Sequence, residues 1–419
     1  MKKILPYLKI FLILIASFFI FSVLSCLLQG ERIHQNIKES LPQLLEEGNY
    51  PEVIFRGDNY KQDNFTDAVI LNIIVSTDSK HPMRAGLMNY FSFQSPETER
   101  WYAIQHLAYK VENPDLEPNL SYNRYWFGSA SVYRVLLLGI SYQQIKMFLY
   151  IASTLLLLLF AVNIVKKVGW IKSLPLFLAL LFADFFITQF SMLFFSAMAI
   201  ALIGGIWICR NGGQSLSKIT MFFFITGIFT AYFDLLTIPL ITLGLPLIVF
   251  MILQGEERKS MWEILKSIVI LCMFWLIGYG SAWAAKWALT IILAEPAALN
   301  GVIETIKMRT STDECTRWDS IVRNFNLLPL SGLIVICTFL LLVTLLSFNK
   351  KGVPLAILFL IVGLMPYGWY WILSDHSYLH AWFTYRAQII SMSCGMLCFV
   401  SLIDWERLKL KLKIKNKNY

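Results

Sequence analysis

Three aspartates, Asp58, Asp63 and Asp67, stand close together in the stretch GDNYKQDNFTDAV, residues 57 to 69. Carboxylates serve as general bases in group transfer, and they also supply the oxygen ligands that divalent cations such as Mg²⁺ and Mn²⁺ require. Aspartates cap helices and stabilise turns as well. The stretch therefore predicts either a reaction centre, with Asp67 as the first choice for the base, or the capped start of a helix.

A second set of polar residues lies next to apolar segments later in the chain. Arg386 is the first choice for binding an anion, because a guanidinium offers several fixed donors and stays charged at any relevant pH. Asp184 and Asp234 stand out because a carboxylate inside an apolar helix costs roughly 2.5 to 3.5 kcal/mol unless it faces protein or a cavity. The predicted substrate-binding residues are Arg386, Lys286, Arg309, Trp126, Tyr125, Asp184, Asp234 and His380.

Several members of this set have a structural alternative. Asp184 and Asp234 also suit helix caps or turns at a membrane interface. Lys286 lies among tryptophans and is typical of an anchor at a membrane surface, whereas Arg309 belongs to a segment of mixed charges that resembles a solvated loop. Trp126, with its neighbour Tyr125, predicts either stacking on a sugar or packing against lipid. Both readings of each residue stay open at this point.

The composition shows which elements must hold these residues in place. Of the 419 residues 57% are hydrophobic and only 15% are charged, which is typical of a polytopic membrane protein and not of a water-soluble globule. Residues 10 to 28 carry no charge, and Lys2, Lys3 and Lys9 precede them. We expect a first transmembrane helix there, since this apolar run exceeds the roughly 7 to 15 residues of a cleaved signal core.

Hydropathy predicts an all-α protein with about ten transmembrane helices. The expected domains are a first transmembrane helix at residues 1–29, an extracytoplasmic loop at 30–144, a bundle of about nine helices at 145–403 and a basic tail at 404–419. The ten apolar segments cover residues 10 to 28, 145 to 165, 174 to 188, 190 to 208, 219 to 233, 235 to 253, 264 to 284, 331 to 347, 353 to 372 and 387 to 403.

The distribution of lysine and arginine predicts the orientation in the membrane. Short basic loops follow alternate segments, and with both termini in the cytoplasm every one of them lies on the inner side, as the positive-inside rule requires. Acidic residues outnumber basic ones in the long first loop, although the chain carries a net charge of +9. We therefore expect a multi-pass protein of the cell membrane whose basic side contacts membrane lipids and not nucleic acid.

The absence of certain sequence motifs argues against several other classes of function. The chain has no Walker loop, no GxGxxG and no GxSxG, which removes nucleotide-driven transport and serine hydrolysis as readings that a motif supports. His376 and His380 would face the same side only on a helix, and no HExxH context accompanies them. The sequence thus leaves the need for a metal open.

The first loop reads as folded, because structureless loops beyond about 15 residues are uncommon in compact proteins. TDAVILNIIVS predicts a helix capped by Thr66 or Asp67 and lying near the interface, and PETERWYAIQHLAYKV predicts a second, amphipathic helix. The stretch YNRYWFGSASVYRVLLLG then returns the chain to the membrane.

This order resembles the GT-C superfamily, integral-membrane glycosyltransferases that use sugars on polyprenyl-phosphate carriers. The likeness rests on Asp63 to Asp67 with the helix after them, on HPMRAGLMNYF and on the returning RYWFGSASVYRVLLLG, and it covers mainly the first 150 residues. It implies transfer of a sugar from a polyprenyl-phosphate donor to an extracytoplasmic glycan or lipid acceptor, with an aspartate as base and Arg386, Lys286 and Arg309 on the carrier phosphate.

Two departures from the family pattern leave other functions open. The acidic motif contains no glutamate, and the proline pair of the returning segment is absent, so a repurposed relative is one alternative. The chain also resembles a set of functionally undefined bacterial multipass proteins with a similar DN(Y/F)TD stretch. A transporter or flippase of a lipid-linked saccharide, a polysaccharide polymerase and a non-enzymatic scaffold remain the competing hypotheses.

Overall fold

The computed structural model describes residues 4–28, 30–52, 61–94, 102–257 and 259–416, so Asp58 lies outside the described residues. Within these ranges the chain is helical, apart from one small antiparallel sheet, as the sequence predicts. The helices are α1 (Leu5–Leu27), α2 (Glu31–Glu47), α3 (Asn64–Val75), α4 (Pro82–Met88), α5 (Ala103–Glu112), α6 (Gly128–Leu136), α7 (Tyr142–Val168), α8 (Trp170–Phe182), α9 (Phe185–Thr188), α10 (Met192–Asn211), α11 (Leu216–Phe233), α12 (Leu240–Glu256), α13 (Met261–Leu293), α14 (Ala298–Thr310), α15 (Arg317–Phe325), α16 (Leu330–Leu346), α17 (Val353–Gly363), α18 (Met365–Ile372), α19 (Ser374–Leu379), α20 (Ala381–Thr384), α21 (Ile389–Ser401) and α22 (Trp405–Asn416). The strands are β1 (Tyr90–Phe91) and β2 (Leu120–Ser121).

Six helical stretches among the described residues are long and apolar enough to cross a membrane: α1, α7, α10, α11, α13 and the continuous Lys350–Ile372, which contains α17 and α18. The pair α15 and α16, bent by 77°, gives a seventh if it counts as one span. All ten apolar segments of the sequence are helical, but α8, α12 and α21 have only 13, 17 and 13 residues. The sequence predicts more spans than the structure has long helices, because an apolar run in the sequence can include the turn residues between two short helices. The residues around Asp184 are an example.

The segment between α1 and α7 forms a small domain with its own hydrophobic core. Its helices α2, α3, α5 and α6 pack together, and the core continues into the first turns of α7 and α10. Helix α3 is buried from Asp67 to Ile74 on every face, so it is the central helix of this domain and not the interfacial helix that the sequence predicts. This position brings the aspartates of DNFTD against the helix bundle.

Capping side chains decide where the helices near this domain begin. Asp63 caps α3 by accepting a hydrogen bond from the backbone N–H of Thr66 at 2.9 Å, so the cap lies three residues before the predicted Thr66 and four before Asp67. Ser141 caps α7, and Gln144 returns a bond to its backbone N–H at 2.9 Å. Ser191 caps α10. The starts of three helices that frame the domain are thereby fixed.

Glycines let two long helices of the bundle pack closely. A Cβ at Gly227 of α11 would clash with the carbonyl oxygen of Trp275 in α13, and one at Gly278 would clash with that of Phe224. Close backbone approach through small residues is a common way for helices to associate in membranes. The α11–α13 pair therefore forms a rigid support for the loops at its ends.

The helix boundaries and contacts define two ends of the bundle. At one end, here called the site end, the small domain meets the starts of α7 and α10, and Leu236 contacts His376. At the opposite end, here called the basic end, Asn349 bonds to Leu402 and Lys172 pairs with Glu256. The described basic residues at or beside the basic end include Lys9, Lys166, Lys167, Lys172, Arg210, Lys218, Lys259, Lys266, Lys350, Lys351, Arg407, Lys409 and Lys411.

Candidate functional site

One carboxylate oxygen of Asp63 caps α3, and the other has no hydrogen-bond partner among the described residues. Oδ1 accepts the capping bond from the backbone N–H of Thr66, whereas Oδ2 is buried and has no hydrogen-bond partner among the described residues. Burial raises the pKa of Asp63 to about 6, while the bonds with Thr66 and the charge of Arg386 pull this pKa down. Asp63 therefore loses its proton just below neutral pH, in the range suited to a general base.

Arg386, which lies between α20 and α21, is fully buried and largely unpaired. Its Nη1 donates to the backbone carbonyl of Trp382 at 3.0 Å, but Nε and Nη2 have no partner among the described residues. The guanidinium lies 5.3 Å from the ring centre of Phe194 and 5.0 Å from that of Tyr385. A buried guanidinium with free donors is costly, so this group is prepared to bind an oxyanion.

Aromatic rings surround the region between Asp63 and Arg386. Trp382 makes edge contacts with Tyr50 and with Phe194, at centroid distances of 5.4 and 6.3 Å. Phe194 in turn contacts the guanidinium of Arg386, and the pKa of Tyr50 is raised by burial and then by the charge of Asp63. These five residues form what we call the Asp63–Arg386 site. Its three aromatic rings offer faces on which a sugar can stack.

Asp67 lies beside this site but is bonded on both oxygens. Oδ2 accepts from the Tyr142 hydroxyl at 2.9 Å, and Oδ1 accepts from the backbone N–H of Met192 at 3.1 Å. The side chain thus ties α3 to the first residues of α7 and α10. Burial raises the pKa of Asp67 to about 7, with Lys146 lowering it and the Asp63 carboxylate raising it. These contacts favour a role in holding the helices together.

Lys146, in the first turns of α7, is a polar residue that the sequence analysis missed. Its Nζ lies 3.6 Å from the Glu47 carboxylate and donates at 3.2 Å to the side-chain oxygens of Gln62 and Asn64. Asn64 also donates to Glu47 at 2.8 Å. A lysine inside the apolar run of a spanning helix was the available signal, since such a cation needs partners. The network holds the DNFTD stretch against α7.

Arg309 belongs to a neighbouring cluster with His376 and His380. Its Nη1 lies 2.6 Å from Nδ1 of His376, whose Nε2 lies 2.8 Å from the carbonyl oxygen of Leu236. Since a carbonyl only accepts, Nε2 carries the proton and Nδ1 accepts from Arg309. Burial, followed by the charge of Arg309, lowers the pKa of His376 well below its usual value and that of His380 to about 4. Both rings are neutral at neutral pH.

A chain of ring contacts joins the Arg309 cluster to the Asp63–Arg386 site. His380 stacks on Phe383 at 5.1 Å, and Phe383 contacts Phe194 at 5.8 Å. His380, one of the predicted substrate-binding residues, thus lies between Arg309 and the Asp63–Arg386 site.

Lys286, Trp126 and Tyr125 form a separate network that connects the small domain to α13. Lys286 is fully buried and donates to the carbonyl of Leu87, in the last turn of α4, while Trp126 donates from Nε1 to the carbonyl of Ala282 at 2.8 Å. Tyr125 is buried as well and packs on other aromatic rings. These contacts favour a packing role for all three.

The two remaining predicted aspartates have intramolecular partners. Asp234 is fully buried and accepts from the backbone N–H groups of Thr237 at 3.1 Å and Ile238 at 3.4 Å, as a residue at the start of a turn does. Burial raises the pKa of Asp234 to about 6. Asp184 has a positive φ of 57° and accepts from the hydroxyl of Tyr385, whose ring flanks the Arg386 guanidinium. Asp184 thus supports a wall of the Asp63–Arg386 site.

The structure therefore places Arg386 near enough to Asp63 for its charge to lower the Asp63 pKa, has Asp67, Asp184 and His380 in the surrounding contacts, and gives Lys286 partners elsewhere. No group of three or more His, Cys, Asp or Glu side chains within the described ranges converges as a metal site would require. Comparison with protein-family models, with curated proteins and with solved structures found no match to this chain.

Proposed function

We propose that this membrane protein is a glycosyltransferase that moves a sugar from a polyprenyl-phosphate donor to an acceptor hydroxyl at the site end. The observation that supports this most is a buried carboxylate oxygen of Asp63 and two buried guanidinium nitrogens of Arg386, all without partners among the described residues and coupled electrostatically. A ligand with a hydroxyl at one end and a phosphate at the other would satisfy both groups.

The proposed reaction is a single displacement. The acceptor oxygen attacks the anomeric carbon, the bond between that carbon and the phosphate oxygen breaks, and the phosphate leaves with the bonding electrons. Asp63 Oδ2 takes the hydroxyl proton, and the free N–H groups of Arg386 stabilise the negative charge on the departing phosphate. A pKa of about 6 leaves the Asp63 carboxylate ionised at neutral pH, as a base must be.

We assign the base to Asp63 and not to Asp67, which was the first choice from sequence. Asp67 already accepts one bond on each oxygen, from Tyr142 and Met192, whereas Oδ2 of Asp63 has no partner among the described residues. Asp67 positions Asp63 instead, because it holds α3 against the starts of α7 and α10. Arg309 and His380 then bind more distant parts of the donor or acceptor.

The proposal includes the finer topology that hydropathy suggests. About ten helices would cross the membrane, the short α8, α12 and α21 among them, with both termini in the cytoplasm. The excess of basic over acidic residues in the short loops of the basic end supports this orientation. The site end would then face the outside, where lipid-linked sugars are used as donors in the family that the sequence resembles.

Lipid analysis of cells that lack the protein tests this proposal. We expect a polyprenyl-phosphate sugar to accumulate, and wild-type protein but not Asp63→Asn to reverse the accumulation. Asp313→Asn is a matched control, since Asp313 lies in an exposed loop of the site end. An unchanged lipid profile in the deletion cells, or full complementation by Asp63→Asn with normal membrane insertion, would contradict the proposal.

A further inference from the structure

Helix α15 lies across the site end of the bundle, since it is bent by 77° from α16, the next helix. Helix α16 has 17 uncharged residues, a length at the lower limit of what crosses a bilayer. Just after its last residue, the Ser347 hydroxyl donates to the backbone carbonyl of Asp404 at 2.8 Å, beside the Asn349–Leu402 contact of the basic end. Helix α16 therefore reaches from one end of the bundle to the other by itself, and α15 lies close to the plane of the membrane surface.

One side of α15 packs on the bundle and a second side is apolar and open. Ser320 and Asn324 are buried on the first side. Trp318, Val322 and Phe325 form the second side and are 64%, 50% and 41% exposed. Their spacing places the three side chains on one face of a helix. This apolar side is therefore open to a partner outside the chain.

The third side of α15 is charged. Asp319 and Arg323 are exposed there, and the guanidinium of Arg323 lies 4.3 Å from the ring centre of Tyr378. A helix with one apolar and one charged side is typical of helices that lie in a membrane interface. In that position the charged side faces headgroups and water, and the apolar side faces the lipid chains.

The contacts of Trp318 give the depth of α15 in the bilayer. Its ring meets that of Trp371 edge-on, with the centroids 5.3 Å apart. Trp371 is the last residue but one of the spanning stretch Lys350–Ile372, so this contact lies where that span ends. Tryptophan is enriched at the level of the lipid headgroups. The first turns of α16 expose apolar side chains as well, those of Ile334 and Val335. These observations favour the bilayer, and not a soluble protein, as the partner of α15.

The side of α15 that packs on the bundle holds the segment around Arg386. The amide of Asn324 donates to the carbonyl of Ser377 at 2.8 Å and accepts from the hydroxyl of Thr384 at 2.7 Å. The backbone carbonyl of Asn324 accepts from the side chain of Gln388 at 2.8 Å. Thr384 precedes Arg386 and Gln388 follows it, so α15 is bonded to the chain on both sides of this arginine.

We propose that α15 binds the surface of the lipid bilayer at the site end, with Trp318, Val322 and Phe325 inserted among the lipid chains. The bound helix holds the segment around Arg386 beside the headgroup region. The inference goes beyond the proposed function. It depends neither on glycosyl transfer nor on which side of the membrane the site end faces.

Photo-crosslinking of the purified protein in phosphatidylcholine proteoliposomes tests the lipid contact. Benzoylphenylalanine replaces Val322 on the apolar side or, as the matched control, Arg323 on the charged side of the same helix. Mass spectrometry of the labelled peptides identifies what has reacted. We expect phosphatidylcholine attached at position 322 and none at position 323. Equal lipid labelling of the two positions, no lipid at position 322, or cross-links from it to a second copy of the chain would overturn the proposal.

Hydrogen–deuterium exchange in the same proteoliposomes tests the link to Arg386. Val322→Glu puts a charge on the apolar side at an exposed position, so the packing of α15 on the bundle is kept, and Val322→Leu is the matched control. We expect faster exchange in α15 and in residues 377–388 of Val322→Glu, and wild-type exchange in Val322→Leu. Wild-type exchange of residues 377–388 in both variants would contradict a role of the lipid contact in holding this segment.

Discussion

The buried carboxylate of Asp67 gives a sharp prediction for the pH dependence of stability. Its ordinary pKa of 3.8 is raised to about 7 in the folded protein, mainly because burial disfavours the charged form. A group with a raised folded pKa stabilises the fold fully below its unfolded pKa, and this contribution is lost as the pH rises towards the folded pKa. Asp67 therefore weakens the fold progressively between about pH 4 and pH 7.

The size of the effect follows from the pKa change. A shift of about three units corresponds to about 4 kcal/mol over the whole range, or about 1.4 kcal/mol for each pH unit. Asp63 and Asp234 act in the same direction, but their pKa values of about 6 confine their share to lower pH. Between pH 6 and pH 7, Asp67 changes stability by about 1 kcal/mol, whereas Asp63 and Asp234 change it by only about 0.3 kcal/mol each.

Asp67→Asn isolates this contribution. The amide oxygen still accepts from the backbone N–H of Met192, and the amide N–H₂ can donate to the Tyr142 hydroxyl, so the packing is kept. We expect the free energy of unfolding of the wild type to fall by about 1 kcal/mol more than that of the variant between pH 6 and pH 7, because Asp67 is half ionised in the folded protein at pH 7. The buried histidines titrate equally in both proteins, and their effect cancels in the difference.

Denaturant titrations in detergent micelles, followed by circular dichroism at each pH, measure this difference. Asp63→Asn is the control, because it should flatten the curve mainly below pH 6 and change the interval from pH 6 to pH 7 by only about 0.3 kcal/mol. Parallel curves for the wild type and Asp67→Asn across that interval would refute the buried position of this carboxylate between α3, α7 and α10.

Three further predictions concern the site and its support. In Arg386→Gln the carboxyl group of Asp63 should titrate at higher pH than in the wild type, because the guanidinium holds the pKa of Asp63 down. Infrared titration follows its carboxyl band, which is identified by its absence in Asp63→Asn. An unchanged titration would show that Arg386 does not act on Asp63. Gly227→Leu should lower the thermal unfolding temperature strongly, since its side chain would collide with the backbone of α13 at Trp275, and an unaltered temperature would contradict the close α11–α13 packing. Lys286→Met should keep or raise thermal stability, because a methionine of similar length replaces a fully buried ammonium group. A large loss of stability would show that the bond from Lys286 to the α4 carbonyl outweighs the cost of burying the charge.

The sequence predicted the helical segments well and the partners of their polar residues poorly. Apolar run length is a local property, so all ten apolar segments are helical. The capping role of the DNFTD stretch was also accessible, although the cap is Asp63 and not Thr66 or Asp67. The sequence did not show that α3 is buried on all faces, because an apolar helix of this length suits an interface equally well.

The different roles of Asp63 and Asp67 depend on contacts distant in sequence. Asp67 meets Tyr142 and Met192, which lie 75 and 125 positions further along the chain, and no local pattern indicates such pairs. The same holds for the approach of Arg386 to Asp63. A cation in the first turns of a spanning helix, as Lys146 is, was the one local signal that pointed to a polar network at this place.

The most direct test of the central claim is a transfer assay with purified protein in proteoliposomes. The donor is the polyprenyl-phosphate sugar that accumulates in deletion cells, and the wild type, Asp63→Asn and Asp67→Asn are compared at pH 7.5. We expect Asp63→Asn to lose at least about a hundredfold in rate, as removal of a general base implies, and Asp67→Asn to stay within about tenfold of the wild type. Equal rates for the wild type and Asp63→Asn would contradict the assignment of the base to Asp63.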